Sequence, residues 1–410
     1  MSLEFEKLGN QVEEMAQSAI LRREERRQLV ADALEKLHRH ATDWDFLDEC
    51  LQAAIDKATI KKLRAARPLD QNEPLDAAVP APSLPARATV IATDGSQILP
   101  NHHAAHLYSL INVGVIIYGH GLDDPPDQFT RPTLDYPGKG RPAAGNPLDG
   151  FSDNAGLVNL RRDRAEIETL ARSVWEQRQA QQPLVAILDQ RLLYWPVAGS
   201  GEAGGRGEQI VKAWQEAMTN IRLCDGLLVG YIARSLKQSV LTTLVSLDIN
   251  EPNFDQQRLT SRDTTTGLTD ASLFSQVLEP GQRSKLFIDV SQHNKEFRDG
   301  DPLNEVCFFY LNPGQSGRRI ARVDIPMWVA REPAAVDAVH ALIVDQCQIL
   351  GDYPYVLARA DEIAVVGRRD QENLNLMIDN MMQRHGISEQ ATAKQGSKEL
   401  ARAGRTRHEL

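Results

Sequence analysis

The apolar positions of the chain follow a helical period at the start and form short, dense runs later. Over residues 1–66 they recur every three or four positions, which predicts an N-terminal helical region. Its mixed charge run, Arg22–Arg27, predicts a solvated helix face, and a hairpin that contacts a partner is the alternative. Residues 67–87 hold five prolines without periodicity and predict a linker. The main body is therefore expected to begin near Ala88.

Beyond the linker, predicted strands and helices alternate, and this order favours an α/β fold. The dense apolar runs predict strands at 89–93, 107–118, 183–189, 226–235 and 306–311. Amphipathic stretches predict helices at 157–178, 208–223, 333–350 and 370–385. Residues 119–155 are rich in Pro, Gly and Asp, which predicts an extended loop or a hairpin insertion. The polar residues 387–410 predict a disordered tail.

Three acidic residues stand where predicted strands and a predicted helix could bring them together. The first strand ends on Asp94-Gly-Ser, where Gly95 allows a sharp turn and Ser96 adds a hydroxyl group. An ordinary Asp-Gly turn is the alternative for this stretch. Asp189 closes another strand, and Glu166 lies beside the apolar stripe of a helix, whereas Glu168 projects elsewhere. Two strands that each finish in Asp can present both carboxylates at one end of a sheet.

Net charge, cysteine spacing and the length of the apolar runs limit the classes of function that the sequence allows. The formal net charge is −10 over 410 residues, which argues against a protein that coats nucleic acid through bulk charge. It leaves a nucleic-acid enzyme open, because carboxylate-rich metal sites add negative charge. The four cysteines are far apart and form no CxxC pair, which favours buried, reduced thiols in a cytoplasmic setting. No apolar run is long enough for a membrane span, and no signal peptide is evident.

Two further motifs have ordinary explanations. The glycine-rich stretch within residues 196–208 lacks the Gly-Lys-Ser/Thr ending of a P-loop and predicts a flexible lid. His102, His103 and His106 could bind a metal, but no cysteine or further ligand follows at a fixed spacing. A surface or sheet-edge role is therefore favoured for these histidines, and a local substrate contact is the next alternative.

Taken together, several motifs resemble, in their order, the NurA family of DNA-repair nucleases. They are Asp94-Gly-Ser, Glu166 on a helix, Asp189 closing a strand, Arg322-Val-Asp-Ile-Pro326 and Ala360-Asp-Glu362. The resemblance spans about residues 85–386. It implies an RNase H-like mixed β-sheet flanked by helices, here with an N-terminal helical extension. It also implies a manganese-dependent single-strand endonuclease and 5′-to-3′ exonuclease, a homodimer that docks on the hexameric ATPase HerA for DNA-end resection.

The resemblance also assigns site residues, with two departures from the family pattern. It places the family's acidic ligands on Asp94, Glu166 and Asp189. The third motif usually reads Asp-Gly-Ser, whereas this chain has Asp189-Gln-Arg. The last motif often carries a histidine where this chain has Asp361, which can still bind a hard cation.

Phosphodiester hydrolysis by two divalent ions gives each of these residues a hypothetical role. Asp94 bridges two Mn²⁺ or Mg²⁺ ions, Asp189 and Glu166 each complete one, and Asp361 holds the ion on the leaving-group side. Ser96 contacts the substrate, while Arg234 and Arg322 bind its phosphates. Salt bridges to exposed acidic residues are the alternative for Arg234. The predicted catalytic body covers residues 88–386.

Two other functions remain compatible with the sequence. The departures at Asp189-Gln-Arg and Asp361 allow a non-catalytic scaffold that keeps the fold and binds the ATPase or DNA ends. A nuclease that acts on RNA or a hybrid is the third possibility, because no motif reads a 2′-hydroxyl group.

Overall fold

Strands and helices are interspersed along the part of the chain that the structure describes. The computed structural model describes residues 5–57, 63–139, 151–152, 154–195, 203–260, 268–314 and 319–387. The strands are β1 (Ala65–Pro68), β2 (Ala88–Ile98), β3 (Ser109–His120), β4 (Asp127–Asp135), β5 (Leu184–Leu188), β6 (Gly226–Ile232), β7 (Phe287–Val290), β8 (Val306–Leu311) and β9 (Ala321–Pro326). The α-helices are α1 (Gly9–Arg39), α2 (Trp44–Lys57), α3 (Ala155–Glu176), α4 (Ala203–Leu223), α5 (Ser239–Ser246), α6 (Asp270–Phe274), α7 (Gln292–Gly300), α8 (Met327–Ala330), α9 (Pro333–Leu350), α10 (Tyr355–Ala364) and α11 (Arg368–Arg384).

Two predicted segments fall partly or wholly outside the described residues. The predicted lid lies outside them from residue 196 to 202, and α4 begins at Ala203. The predicted disordered tail lies outside them from residue 388 onward. The insertion predicted within 119–155 contains β4, which supports its hairpin alternative.

The chain forms two compact units. The first comprises Met1–Ala86, Asp189–Leu193 and Leu227–Tyr355, and the second comprises Arg87–Leu188, Tyr194–Gly226 and Val356–Leu410.

The second unit contains the first strand that the sequence predicted, and this strand is longer than expected. β2, β3 and β4 form an antiparallel meander, and β5 pairs with β2 in parallel. An antiparallel meander whose first strand pairs with a parallel strand after a helix confirms the expected mixed, RNase H-like sheet. The prediction that β2 ends at Asp94 is wrong. The strand continues to Ile98 because β3 pairs with it along its whole length, with Asp94 opposite Gly114.

Helix α3 begins where its sequence provides a cap. The Asn154 side chain accepts hydrogen bonds from the amides of Gly156 and Leu157 in the first turn. Leu170 and Val174 on one stripe are fully buried, as the helical period predicts. The predicted helix at 157–178 is thus confirmed, with bounds two residues earlier.

The first unit is built on an antiparallel sheet in the order β1-β7-β8-β9-β6. A core of aromatic and aliphatic side chains packs beside it, in which Phe274 stacks on Tyr310 at 4.9 Å and Phe287 on Phe308 at 5.5 Å between ring centroids. The leading helices α1 and α2 contribute to this core through Leu37 among others. The helical region predicted to reach residue 66 ends earlier, since Ala65–Pro68 forms the edge strand β1.

The proline-rich segment is attached to the first unit by specific contacts. The Leu75 amide donates to the Ala41 carbonyl at 2.7 Å, and the Val79 amide donates to the Arg283 carbonyl at 2.8 Å. The Arg283 guanidinium donates to both carboxylate oxygens of Glu73, at 3.0 and 2.8 Å. The segment therefore has fixed anchor points although its sequence has no period. The predicted boundaries at 66/67 and 87/88 stay predictions.

A buried carboxyl group organises the start of α5. Asp270 is fully buried, and it accepts hydrogen bonds from the amides of Val240 and Leu241 and from the Tyr310 hydroxyl. Burial raises the pKa of Asp270 to about 6, against the lowering effect of these donors. The folded protein therefore holds a proton on Asp270 more readily than the unfolded chain does.

Substitution of Asp270 by Asn tests this proton uptake. Because the folded pKa lies above the unfolded value, the contribution to stability is present below about pH 4 and is lost as the pH rises through 6. From pH 4 to 7, the unfolding free energy of the parent should fall by up to about 3 kcal/mol relative to Asp270→Asn. Urea denaturation across this pH range measures the difference. Parallel pH curves for the two proteins would contradict the assignment.

A second prediction concerns a buried amide on α9. Gln346 is fully buried, and neither its Nε2 nor its Oε1 has a hydrogen-bond partner within the described residues. Because an unpaired buried polar group destabilises the fold, Gln346→Met should raise the unfolding free energy by about 1–3 kcal/mol. Exposed Gln348 is the matched control, and Gln348→Met should change the unfolding free energy by less than about 0.5 kcal/mol. Loss of stability in Gln346→Met would show that the amide is hydrogen-bonded.

Candidate functional site

Asp94 lies in β2 on the face that α10 covers. Its Oδ1 accepts a hydrogen bond from the Gly95 amide at 2.9 Å, and the residue is half-buried. Side chains alternate along a strand, so Asp94 and Ser96 share this face. The Ala364 carbonyl of α10 accepts hydrogen bonds from the Ser96 hydroxyl and from Asn112 Nδ2. Ser96, predicted to contact the substrate, therefore also joins β2 to α10.

Glu166 approaches β2 from the opposite face, where α3 packs. The Thr93 hydroxyl donates to the Glu166 carbonyl at 3.1 Å, and only 5% of Glu166 is exposed. A methyl group at Gly95 would lie 2.5 Å from Glu166 Oε1 and 2.9 Å from Arg162 Cγ. Glycine is therefore required here for close helix packing, and not for the turn that the sequence suggested.

The structure separates the two candidate glutamates of α3. Glu168 points to the solvent side, where its Oε1 accepts a hydrogen bond from Arg164 Nε at 2.6 Å. This agrees with the predicted orientations of both residues. Glu166, and not Glu168, is the α3 carboxylate that lies beside β2.

Arg162 is a component of the site that the sequence reasoning missed. Its Nε lies 3.2 Å from Glu166 Oε1, and its Nη2 donates to Asp163 Oδ1 at 2.8 Å. Although burial alone lowers the pKa of Arg162, the nearby carboxylates of Asp163, Glu166 and Asp94 raise it overall. One guanidinium therefore interacts electrostatically with both predicted ligands, Asp94 and Glu166. The sequence feature that could have identified Arg162 is its i,i+4 spacing from Glu166 on one helix.

The other predicted carboxylates occupy less enclosed positions. Asp189 is exposed and directly follows β5, whose last residue Leu188 pairs with Thr93 of β2. Asp94 directly follows Thr93, and Asp189 directly follows Leu188, so an Asp comes after this pair in both chain segments. Asp361 is exposed on α10, the helix whose Ala360 and Ala364 backbone atoms pack over Gly114.

The predicted phosphate-binding arginines differ in accessibility. Arg234 is exposed just after β6. Arg322 is only 2% exposed, and its guanidinium donates to Asp324 Oδ1 at 2.7 Å and to Asp289 Oδ2 at 3.1 Å. These contacts describe Arg322 as the counter-ion of two buried carboxylates. A phosphate contact by Arg322 stays a prediction.

The donor chemistry of Asp94 and Glu166 fits a hard divalent cation, because both offer carboxylate oxygens. Within the described ranges, however, no group of three or more His, Cys, Asp or Glu side chains is placed to hold one ion. The strand geometry gives a reason, since Asp94 and Glu166 approach Gly95 from opposite faces of β2. The predicted histidines lie elsewhere: His102 and His103 are exposed, and His106 Nε2 lies 3.1 Å from Asp379 of α11.

Comparison with known proteins places this geometry in context. No curated protein matches the chain in sequence. The crystal structure of the NurA nuclease from Sulfolobus solfataricus aligns with a TM-score of 0.46 and 12% identity, over 83% of this chain and 92% of that one. The catalytic domain of human endonuclease V aligns with a TM-score of 0.31 and 13% identity, over 71% and 83%. The family model described as the NurA domain matches residues 88–366. This match covers more than half of the sequence and includes β2, α3, β5 and α10, so the chain belongs to the NurA family.

Proposed function

We propose that this chain is a divalent-cation-dependent deoxyribonuclease that cuts single-stranded DNA internally and degrades DNA from 5′ to 3′. Membership of a nuclease family supports hydrolysis of a phosphodiester bond. The observation that carries the proposal is the placement of Asp94 and Glu166 on either side of Gly95. Arg162 Nε lies 3.2 Å from Glu166 Oε1, which supports a place beside β2 that favours positive charge.

The proposed ligands are Asp94, Glu166, Asp189 and Asp361, holding two Mn²⁺ or Mg²⁺ ions. When bound, such ions neutralise charge on the phosphate and activate a water molecule. The chain itself orients the ligands. The Gly95 amide holds Asp94 Oδ1, and the Thr93 hydroxyl binds the α3 backbone at Glu166. Ser96 and Arg234 are the proposed substrate contacts, and Arg322 is kept as a further one.

The proposed setting is DNA-end resection together with a HerA-type hexameric ATPase, with the chain as a homodimer. The net charge of −10 supports dependence on a partner for a firm grip on DNA, because DNA affinity derives largely from cations that neutralise phosphates. Cys50, Cys307 and Cys347 are buried free thiols, which supports a reducing, cytoplasmic setting. None of the helices described above has the length and apolar character that crossing a bilayer requires.

A scaffold that binds the ATPase or DNA ends without cleaving is the second candidate function. The observation that favours it is that no three-ligand group is assembled among the described residues. Titration with Mn²⁺ in a calorimeter separates the two functions, because a scaffold that lacks a ligand set binds no ion tightly.

Removal of a proposed ligand tests the nuclease directly. Asp94→Asn and Glu166→Gln should each lower Mn²⁺-dependent cleavage of linear single-stranded DNA by more than about 100-fold, since even outer-shell changes cost ten- to a hundredfold. Glu168→Gln is the matched control, because Glu168 faces solvent on the same helix, and it should cleave at the parental rate. Chelation of the metal should abolish cleavage by the parent. Parental activity in Asp94→Asn would refute the proposed site.

Arg234 provides a test of substrate contact. Because Arg234 is exposed at the end of β6, Arg234→Gln should weaken binding to single-stranded DNA and reduce the salt slope of log K by about 1. Exposed Arg258, in the same unit, is the control for the loss of one surface charge. Fluorescence anisotropy over a salt series measures both slopes. Equal slopes for the two variants would assign Arg234 to the general surface charge.

A further inference from the structure

Arg162 is held in place by an ordered set of side chains. Its Nη1 donates to Gln97 Oε1 at 3.1 Å, and Gln97 in turn donates from Nε2 to Asn159 Oδ1 at 3.0 Å. Its Nη2 donates to Asp163 Oδ1, whose other oxygen accepts a hydrogen bond from the Tyr194 hydroxyl at 3.0 Å. The guanidinium therefore occupies a defined position and not one of many surface rotamers.

The Tyr194 contact is itself anchored in the core. Tyr194 is buried and stacks on the fully buried Trp214 at 4.5 Å between ring centroids. An aromatic pair of this kind adds stability beyond that of its buried area. The side chain that orients Asp163, and through it Arg162, is thus fixed by packing.

The link between Arg162 and Glu166 is looser than these contacts. Although Arg162 Nε lies 3.2 Å from Glu166 Oε1, the Nε atom has no partner in hydrogen-bond geometry among the described residues. The pair is therefore held by charge and not by an aligned hydrogen bond. Separating this pair breaks no aligned hydrogen bond between its two partners, whereas withdrawal of Arg162 also breaks its Nη1 and Nη2 bonds to Gln97 and Asp163.

The two partners also differ in their freedom to move. The Arg162 side chain is 31% exposed, whereas the Glu166 side chain is 7% exposed and sits against Gly95. An arginine can swing its long stem toward water while its backbone stays in place. Departure of Arg162 toward solvent would leave Glu166 and Asp94 where they are.

We infer that Arg162 is a resident cation that occupies the charge position of the divalent ion and competes with it. In the metal-free protein Arg162 balances Glu166 and Asp94, and it must withdraw before a divalent ion binds. This inference rests on the proposed function and describes how that same site is regulated. Any anion that draws Arg162 away, such as a DNA phosphate, would then tighten ion binding, because the two events are linked.

Calorimetric titration with Mn²⁺ alone, in the absence of DNA, tests the competition. Arg162→Gln should lower the Kd for Mn²⁺ by about tenfold, since the ion no longer displaces a guanidinium. Arg162→Lys keeps the positive charge and should stay within about threefold of the parent. Arg164→Gln is the matched control for general charge, because Arg164 lies two residues away and pairs with Glu168 on the solvent side. It should also stay within about threefold of the parent.

A stability measurement gives a second readout that needs no DNA cleavage. In thermal unfolding without metal, Arg162→Gln should melt below the parent, because a positive charge beside Glu166 is removed. Saturating Mn²⁺ should raise its Tm by more than it raises that of the parent. Arg164→Gln should follow the parent in both conditions.

The outcomes separate this inference from the proposed function. If the parent binds Mn²⁺, Asp94→Asn does not, and Arg162→Gln binds no more tightly than the parent, competition is refuted and the nuclease site stands. Weaker Mn²⁺ binding by Arg162→Gln would also refute competition, and it would show that Arg162 positions Glu166. If the parent binds no Mn²⁺, or binds it equally after Asp94→Asn, the proposed site fails and the inference fails with it.

Discussion

The close approach of α3 to β2 at Gly95 is the constraint on which the candidate site depends. Any larger side chain at this position would collide with Glu166 and with the stem of Arg162. The missing side chain lets a helix carboxylate reach the strand that carries Asp94. Two acidic groups thereby approach Gly95 from the two faces of the strand, and Arg162 lies beside one of them. The chemistry proposed for the site is a consequence of that packing.

Charge compensation at the candidate site contrasts with that in the first unit. There, Arg322 donates well-aligned hydrogen bonds to Asp324 and Asp289, and all three side chains are almost completely buried. Such a network is costly to open, because each separated charge would remain in a low-dielectric interior. Arg162, by contrast, is partly exposed and meets Glu166 without a directed hydrogen bond. The buried Arg322 network therefore stabilises the fold, whereas the partly exposed pair of Arg162 and Glu166 is the one in which a ligand can replace a partner.

The same comparison explains which predictions from sequence were incomplete. Arg322 and Asp324 are two residues apart on β9, and the hydrogen bond between them agrees with the two-residue period of a strand. The period could not reveal that Asp289, from another strand, completes the pair and closes it to solvent. Arg162 went unnoticed because an Arg at i,i+4 from a Glu is common on exposed helices. Only its neighbours Gln97 and Asp163 distinguish it from a surface ion pair.

The sequence by itself determined the elements whose period is strong. These include the helix from Pro333, the strands β5 and β8, and the orientation of Glu166 rather than Glu168 toward the sheet. It also carried the family resemblance, which the family match confirms over residues 88–366. Tertiary structure alone decided that β2 runs through Asp94 to Ile98, since pairing with β3 outweighs the turn tendency of Asp-Gly. It likewise decided the role of Gly95 and the partners of Arg162, because close packing and charge between distant segments leave no periodic trace in a sequence.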